Sequence, residues 1–454
     1  MKDGETVWYD ATTKIITFHE KWSYRPGWWL GSKDCSDYDD FVLEIENSDK
    51  VNVQVVVECM GGVEPAYTFV KRALLNGRSV ATSNKELVAK HGAELIAIAH
   101  EKNINFLFEA SVGGGIPIIR PLVQCLTADV IEEVSGILNG TTNYMLTRMK
   151  EEGISFEEAL KEAQEKGYAE LHPEADVEGY DACRKIAILS SLAFGQQVDF
   201  EDIYTEGITS ITAEDIRYAT AMNKSIKLLG NSWRVDGKIY AMVCPMLLDN
   251  AHPLSGVAPF MISRDNPLYM VNDVFNAVCV HGNMLGDSMY YGKGAGKLPT
   301  ASAVAADVVD CVKHTGKNIK ILWNPEKLTL SDLGDFERQY FVRMPADAEA
   351  KAITAAFGAV EMVSVEGINE KAFITGVMKE SAFNEAAEKT GHTAYLMELT
   401  PGYTDVIVKR YFRITGNKDQ IQLIRDGTPA DPAVYAEIFD DVGISSEYKE
   451  GEYE

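Results

Sequence analysis

The densest collection of ionisable side chains in the sequence is Glu170-Leu-His-Pro-Glu-Ala-Asp176-Val-Glu-Gly-Tyr-Asp181-Ala-Cys-Arg-Lys185. A proline and a glycine break its first half, so Glu170 and Asp176 are expected in a loop. Asp181, Arg184 and Lys185 then enter a predicted helix whose other positions are apolar, among them Ala182, Ile186, Leu189 and Leu192. Spacings of three and four residues put the three charged groups on one helix face. The same pattern suits a helix start with dipole-favoured acids and an exposed Asp–Lys pair. The apolar surroundings of Lys185 point instead to a functional ammonium.

Three further segments could hold a ligand. Ala81-Thr-Ser-Asn-Lys85 sets a lysine just after a predicted parallel strand. Ligands of doubly wound sheets bind outside the carboxyl ends of strands, although a strand-end lysine turned to water fits equally well. Glu109-Ala-Ser-Val112-Gly-Gly114-Gly-Ile116-Pro joins a carboxylate to a backbone free to turn carbonyls inward. Oxygen ligands of that kind suit a hard cation, and a hinge between domains is the alternative. Tyr291-Gly-Lys-Gly294-Ala-Gly296-Lys-Leu-Pro-Thr300 places a glycine turn before a helix, as an anion site does and as a plain tight turn also does.

These residues must be positioned by alternating strands and helices. Val51–Glu58 is a β-branched run typical of a buried parallel strand, followed by a helix over Pro65–Asn76. A strand at Ser79–Thr82, a helix at Glu86–Lys102 and a strand at Asn105–Glu109 complete βαβ units. Beyond Gly113–Gly115, helices are predicted over Pro117–Leu126, Thr141–Lys150, Phe156–Lys166, Tyr180–Phe194, Ala213–Leu229 and Thr300–Val312. Strands are predicted at Ile131–Leu138, Tyr240–Leu247, Asp273–His281 and Met289–Tyr291. From about residue 335 the order is strand 339–344, helix 346–357, strand 360–365, strand 371–378, helix 381–390 and strand 405–413. That βαββαβ order is ferredoxin-like. The fold class is therefore α/β: a Rossmann-like doubly wound domain, an α+β domain and a ferredoxin-like module.

Composition excludes several functions. The 454 residues carry 43 basic and 68 acidic side chains, a net charge of −25, so neither nucleic acid nor an anionic membrane is an expected partner. The seven cysteines form no CxxC pair and the eight histidines no HExxH, so zinc and a disulfide framework have no support. No apolar run reaches the roughly 18–20 residues that span a bilayer, and no signal-peptide core is evident. The chain reads as cytoplasmic. Its last 24 residues hold eight acidic groups and one lysine, an expected solvated tail.

Taken in order, VVVECMGGVEPAY (55–67), ATSNKELVAKHGAEL (81–95), FEASVGGGIPIIRPL (108–122), GILNGTTNYMLTRM (136–149), GYAELHPEADVEGYDACRK (167–185) and YGKGAGKLPTASAVAAD (291–307) resemble the homoserine dehydrogenase family. The likeness spans about residues 36–315, and residues 339–413 resemble an ACT domain. The resemblance implies NAD- or NADP-dependent interconversion of L-aspartate 4-semialdehyde and L-homoserine, in threonine and methionine biosynthesis, by a homodimer or homotetramer. It implies Lys185 as proton donor, Lys85 polarising the same oxygen, Glu170 on the substrate amino group, and Asp176 and Asp181 orienting substrate and lysine. Met60, Gly61, Lys85, Gly294 and Gly296 would line the cofactor. Glu109 with the carbonyls of Val112, Gly114 and Ile116 would hold sodium or potassium. A cationic acid at the developing alkoxide and mixed charges for a zwitterionic substrate agree with this.

The implied domains are 1–112 for nucleotide binding, completed by about 290–320, then 113–289 for substrate and dimerisation, 335–425 as the ACT-like module and 426–454 as the acidic tail. Three departures stand out. No G-x-G-x-x-G occurs, and residues 1–35, with four of the six tryptophans, do not look like the usual first βαβ unit. This predicts a truncated or mis-started copy, or one without ordinary dinucleotide binding, and threatens the fold of residues 50–110. The corresponding alternative is a catalytically silent homologue acting as an assembly or regulatory partner. His172 stands where the family has an acid, adding a pH-sensitive group. The turn at Pro345–Glu349 lacks the Asp-x-Pro-Gly type associated with amino-acid binding, which favours dimerisation over threonine sensing.

Overall fold

The computed structural model describes residues 54–248, 260–263, 267–335 and 337–389, with two isolated strand pairs elsewhere. Those pairs are Trp8–Asp10 with Ile15–Thr17, and Ile424–Arg425 with Thr428–Pro429. The predicted strand at 405–413 and most of the acidic tail lie outside the described residues. No helix among the described residues is long and apolar enough to cross a membrane.

Residues 54–107 form a parallel sheet despite the absent glycine motif. Strand β1 (Val55–Glu58), helix α1 (Ala66–Leu75), β2 (Ser79–Thr82), α2 (Lys85–Glu101) and β3 (Phe106–Leu107) follow one another, with the strands in the order β1-β2-β3. The middle strand is buried at every position, as parallel strands covered on both faces are. Asn84 caps α2 by accepting from the Leu87 amide at 3.1 Å, so the chain turns from strand to helix immediately before Lys85. The third strand is shorter than predicted, because the chain enters a 3₁₀ turn at Glu109–Ser111.

The helix predicted over 117–126 is a single π-type turn, Pro121–Cys125. Pro117 and Pro121 supply no amide hydrogen, and the amides between them turn to Glu109. Next come β4 (Ile131–Ile137), α3 (Gly140–Glu152), α4 (Phe156–Glu165), α5 (Tyr180–Phe194) and α6 (Ala213–Ala221). They are followed by β5 (Lys224–Val235), β6 (Lys238–Leu248), β7 (Phe260–Ser263), β8 (Phe275–Gly282) and β9 (Gly286–Lys293). A seven-stranded sheet runs β9-β8-β4-β5-β7-β6 and ends on Tyr204–Thr205, with β5 also paired to β6. The predicted helix 213–229 ends early at Ala221, since Asn223 is left-handed (φ 58°) and Lys224 opens β5. Pairing with β6 and β7 overrides the helical spacing of Ile226, Leu228 and Leu229.

Helices α3 and α5 pack on this sheet. At Gly230 a Cβ would lie 2.8 Å from Leu138 and 3.1 Å from Ile186, so glycine permits the close approach of α5. Helix α7 (Lys297–Lys313) leaves the sheet and returns to cover β1 and β2. Beyond it, β10 (Phe341–Pro345), α8 (Ala350–Phe357), β11 (Glu361–Val363), β12 (Glu370–Ile374) and α9 (Glu380–Lys389) build a small antiparallel sheet ordered β10-β12-β11. Met344, Ile353, Phe357 and Phe373 are its core. A second compact unit spans Glu388–Glu454, whose described part is the last two residues of α9 and the strands Ile424–Arg425 and Thr428–Pro429.

Candidate active site

The site is organised by one buried carboxylate. Asp181, in the first turn of α5, is 5% exposed. Its Oδ2 accepts from Lys185 Nζ at 2.6 Å, one helical turn on, and its Oδ1 pairs with Lys85 Nζ at 2.9 Å. The two lysines come from α5 and from the first position of α2, just past β2, so the charged cluster links the seven-stranded sheet's helical layer to the parallel sheet. Burial opposes ionisation of Asp181, yet the ammonium groups of Lys185 and Lys85 hold its carboxyl well below the ordinary range. Burial likewise works against the Lys85 ammonium, and the Asp181 charge overcomes it to raise that pKa.

Asn139 adds a link that sequence spacing did not reveal. It caps α3 by accepting from Thr142 N at 2.9 Å, while its Nδ2 donates to Asp176 at 2.7 Å and to Asp181 at 2.8 Å. Asn-Gly-Thr-Thr before a helix is a recognisable cap signal, but nothing in it foretold contact with residues 37 and 42 positions away. Asp176 sits in a one-turn helix, Glu174–Val177, rather than the expected loop. Burial and the neighbouring Asp181 charge raise its pKa. Lys185 Nζ also donates to the Leu138 carbonyl at 2.7 Å, which fixes its direction.

Glu170 remains outside this network. It is exposed, and its recorded bond is its carbonyl accepting from Gln164 Nε2 at 3.0 Å. His172 is also at the surface, 85% exposed, 3.7 Å from Glu174. Arg184 turns from the cluster toward Glu86 at 3.9 Å.

On the nucleotide side, Met60 is half-buried and Gly61 is open to solvent. Glu58, which sequence reading passed over, is 3% exposed at the carboxyl end of β1 and accepts from Thr82 Oγ1 and the Met60 amide. Desolvation raises its pKa. The two glycine turns meet each other: a Cβ on Gly114 would fall 2.4 Å from the Gly294 carbonyl oxygen, and Gly114 has φ +57°. Gly115 N donates to Lys293 O at 3.3 Å, and Gly296 (φ +116°) precedes α7. Glycine is required at this contact for both space and conformation.

Glu109 is 2% exposed and accepts from the amides of Ile118 (2.7 Å), Ile119 (2.8 Å) and Arg120 (2.9 Å). The Gly113 carbonyl accepts from Ile116 N, whereas no amide donor to the carbonyls of Val112, Gly114 or Ile116 is found among the described residues. All three of those residues are buried.

A buried aspartate that pairs one lysine from α5 with another just past the carboxyl end of a parallel strand fits a site where a dinucleotide-dependent oxidoreductase brings cofactor and substrate together. The family model for the homoserine dehydrogenase NAD-binding domain matches residues 9–109, and that for homoserine dehydrogenase matches residues 117–309. Homoserine dehydrogenase of Bacillus subtilis is 36% identical over 385 residues, covering 81% of this chain and 84% of its own length. The Synechocystis enzyme is 46% identical over 261 residues, 58% of each chain. The crystal structure of a homoserine dehydrogenase from Thiobacillus denitrificans superposes with a TM-score of 0.66 at 36% identity, covering 76% of this chain and 80% of that one. The chain belongs to the homoserine dehydrogenase family. Its likeness begins upstream of residue 36, since the NAD-binding match starts at residue 9, although the sequence contains no G-x-G-x-x-G.

Proposed function

We propose that this chain interconverts L-aspartate 4-semialdehyde and L-homoserine with Lys185 as the proton donor. The observation that carries the assignment is the division of Asp181 between two ammonium groups. An ammonium has three donors. Two of Lys185 are taken by Asp181 and the Leu138 carbonyl, which leaves one N–H for the carbonyl oxygen of the aldehyde. Lys85, with Asp181 as its recorded partner, has donors to spare for the same oxygen. Such fixed cationic donors stabilise a developing alkoxide most where water is excluded. Asp176 and Asp181 orient the lysines and the substrate, and Glu170 receives the substrate ammonium from its exposed loop.

The nicotinamide cofactor, NADP or NAD, supplies the hydride. Met60, Gly61, Lys85, Gly294 and Gly296 are the residues assigned to hold it. A sodium or potassium ion suits the segment 109–116. Three buried residues there have carbonyls with no amide donor among the described residues, and the Glu109 carboxylate accepts three hydrogen bonds out of about four lone-pair sites. Residues 335–425 are assigned as an ACT-like module, supported by its β10-α8-β11-β12-α9 order and its β10-β12-β11 sheet. The same reading makes the protein a cytoplasmic homodimer or homotetramer serving threonine and methionine synthesis.

The test is NAD(P)H oxidation with aspartate semialdehyde, alongside cofactor binding by fluorescence, for the natural chain and for Lys185→Ala. Turnover that disappears in the variant while binding persists supports the assignment. Millimolar or weaker binding with no Lys185-dependent turnover would support the silent-partner alternative, which the missing G-x-G-x-x-G favours.

A further inference from the structure

A buried ring of hydrogen bonds ties the turn after β1 to the turn after β2, and its hub is Glu58. Glu58 and Thr82 are register partners at the carboxyl ends of the two strands. The Glu58 carboxylate accepts from Thr82 Oγ1 and from the Met60 amide. Thr82 Oγ1 in turn accepts from the Asn84 amide at 3.0 Å. Asn84 Nδ2 then donates to the Gly62 carbonyl at 2.7 Å, which closes the ring. The side chains of Glu58, Thr82 and Asn84 are all buried.

A carboxylate is a costly residue at this position. Among the described residues its partners are neutral donors, and burial raises its pKa. An apolar side chain would end the strand without that desolvation penalty. What the bridge joins supplies the reason for it. On one side is the turn 60–62, where Met60 and Gly61 are assigned to the cofactor. On the other is Asn84, whose side chain caps α2 and so fixes where the helix begins, at Lys85. Lys85 Nζ reaches Asp181, the carboxylate it shares with Lys185. Doubly wound sheets bind their ligands outside the carboxyl ends of such strands, so both turns border the same crevice.

We propose that Glu58 is a positioning residue for hydride transfer, holding the cofactor-facing turn in fixed register with Lys85. This role rests on reading Met60, Gly61 and Lys85 as the residues that meet cofactor and aldehyde. Glu58 acts through the two turns and not on the reacting atoms. Its two oxygens face donors from different strand ends, so a shift of one turn relative to the other breaks a buried hydrogen bond. With water excluded, nothing replaces that bond, and the register stays sharp. Hydride transfer needs this sharpness because its rate falls steeply when donor and acceptor are misaligned.

Single-turnover stopped-flow oxidation of NADPH or NADH by saturating aspartate semialdehyde separates positioning from folding. The amplitude counts competent sites, whereas the rate constant reports how well each site is aligned. Glu58→Leu removes both acceptor oxygens and should lower the rate constant by about a hundredfold, the effect of a displacement of roughly 1 Å. Glu58→Gln should restore most of it, since its Oε1 can accept from the Met60 amide and its Nε2 can donate to Thr82 Oγ1. Thr82→Val breaks one side of the bridge and covers the case in which Glu58→Leu fails to fold. It should also slow the rate constant, and Thr82→Ser should recover it. A merely structural role would reduce the amplitude and leave the rate constant of the folded fraction unchanged. That result, or a Glu58→Gln variant as slow as Glu58→Leu, overturns the proposal and leaves the assigned reaction intact. Absence of hydride transfer in the natural chain overturns the reading of the site as well.

Discussion

Replacing Asp181 by asparagine keeps the shape of the central group and removes its charge. Lys185 is 12% exposed and loses an anion at 2.6 Å, whereas Lys85 is 36% exposed and can turn toward water. Breaking a buried ion pair from one side typically costs about 3–5 kcal/mol. The Leu138 carbonyl still accepts from Lys185, and the exposed lysine contributes little, so about 2–4 kcal/mol is expected at neutral pH. The folded carboxyl is held below its unfolded value of about 3.9, so its contribution is fully present above about pH 4 and is lost as pH falls toward the depressed folded value. Urea unfolding of both proteins should therefore give the same difference at about pH 7 and about pH 5, and a smaller one at about pH 3. In turnover assays kcat should drop by roughly 10²–10⁴-fold, because the residue faces the proton donor directly and reaches the nucleotide side only through Lys85. A stability difference below about 0.5 kcal/mol at neutral pH, or one that already fades between pH 7 and pH 5, would refute the reasoning.

Other perturbations separate space from conformation and test the remaining roles. Gly294→Ala places a methyl 2.0 Å from Asn276 and should lower stability by about 2 kcal/mol, measured by denaturant unfolding. Gly153→Ala, with φ +68° and open space, should cost only about 1 kcal/mol; equal losses would show that crowding is not the cause. Burial lowers the pKa of Lys227 to about 7, so the unfolded chain binds the extra proton and stability should rise between about pH 7 and pH 10. Lys227→Met should flatten that rise, and an unchanged slope would assign it to another group. Glu109→Gln should abolish any stimulation of activity by sodium or potassium, and equal stimulation in the variant would remove Glu109 from the ion's ligands.

Much of the organisation was legible because it follows from local rules. Val55–Glu58 and Ser79–Thr82 are β-branched or small and bounded by turn residues, so they read as buried parallel strands; both are parallel, but only Ser79–Thr82 is buried throughout, while Val57 is 46% exposed. The spacing from Asp181 to Lys185 required them to meet if the helix formed, and they do so at 2.6 Å. Where local signals were ambiguous, distant pairing decided. Lys224–Leu229 has helical spacing, yet β6 and β7 supply ladder partners that an isolated helix there would lack. The segment 117–126 has helical composition, but its amides find a carboxylate at Glu109.

By itself, then, the sequence determined which residue types were available, where the parallel strands would fall and which lysine shares a helical turn with which aspartate. These depend on periodicities of two and 3.6 residues, which any stretch of chain carries within itself. Only the tertiary structure decided that Lys85 reaches the same carboxylate, that Asn139 ties Asp176 to Asp181, and that the two glycine turns touch. It also left the Asn276 amide buried with no hydrogen-bond partner among the described residues. Those relations join residues tens to hundreds of positions apart, and no local preference encodes them. They arise where packed layers bring separate segments within hydrogen-bonding distance, and burial then makes each charge and each unpaired polar atom count.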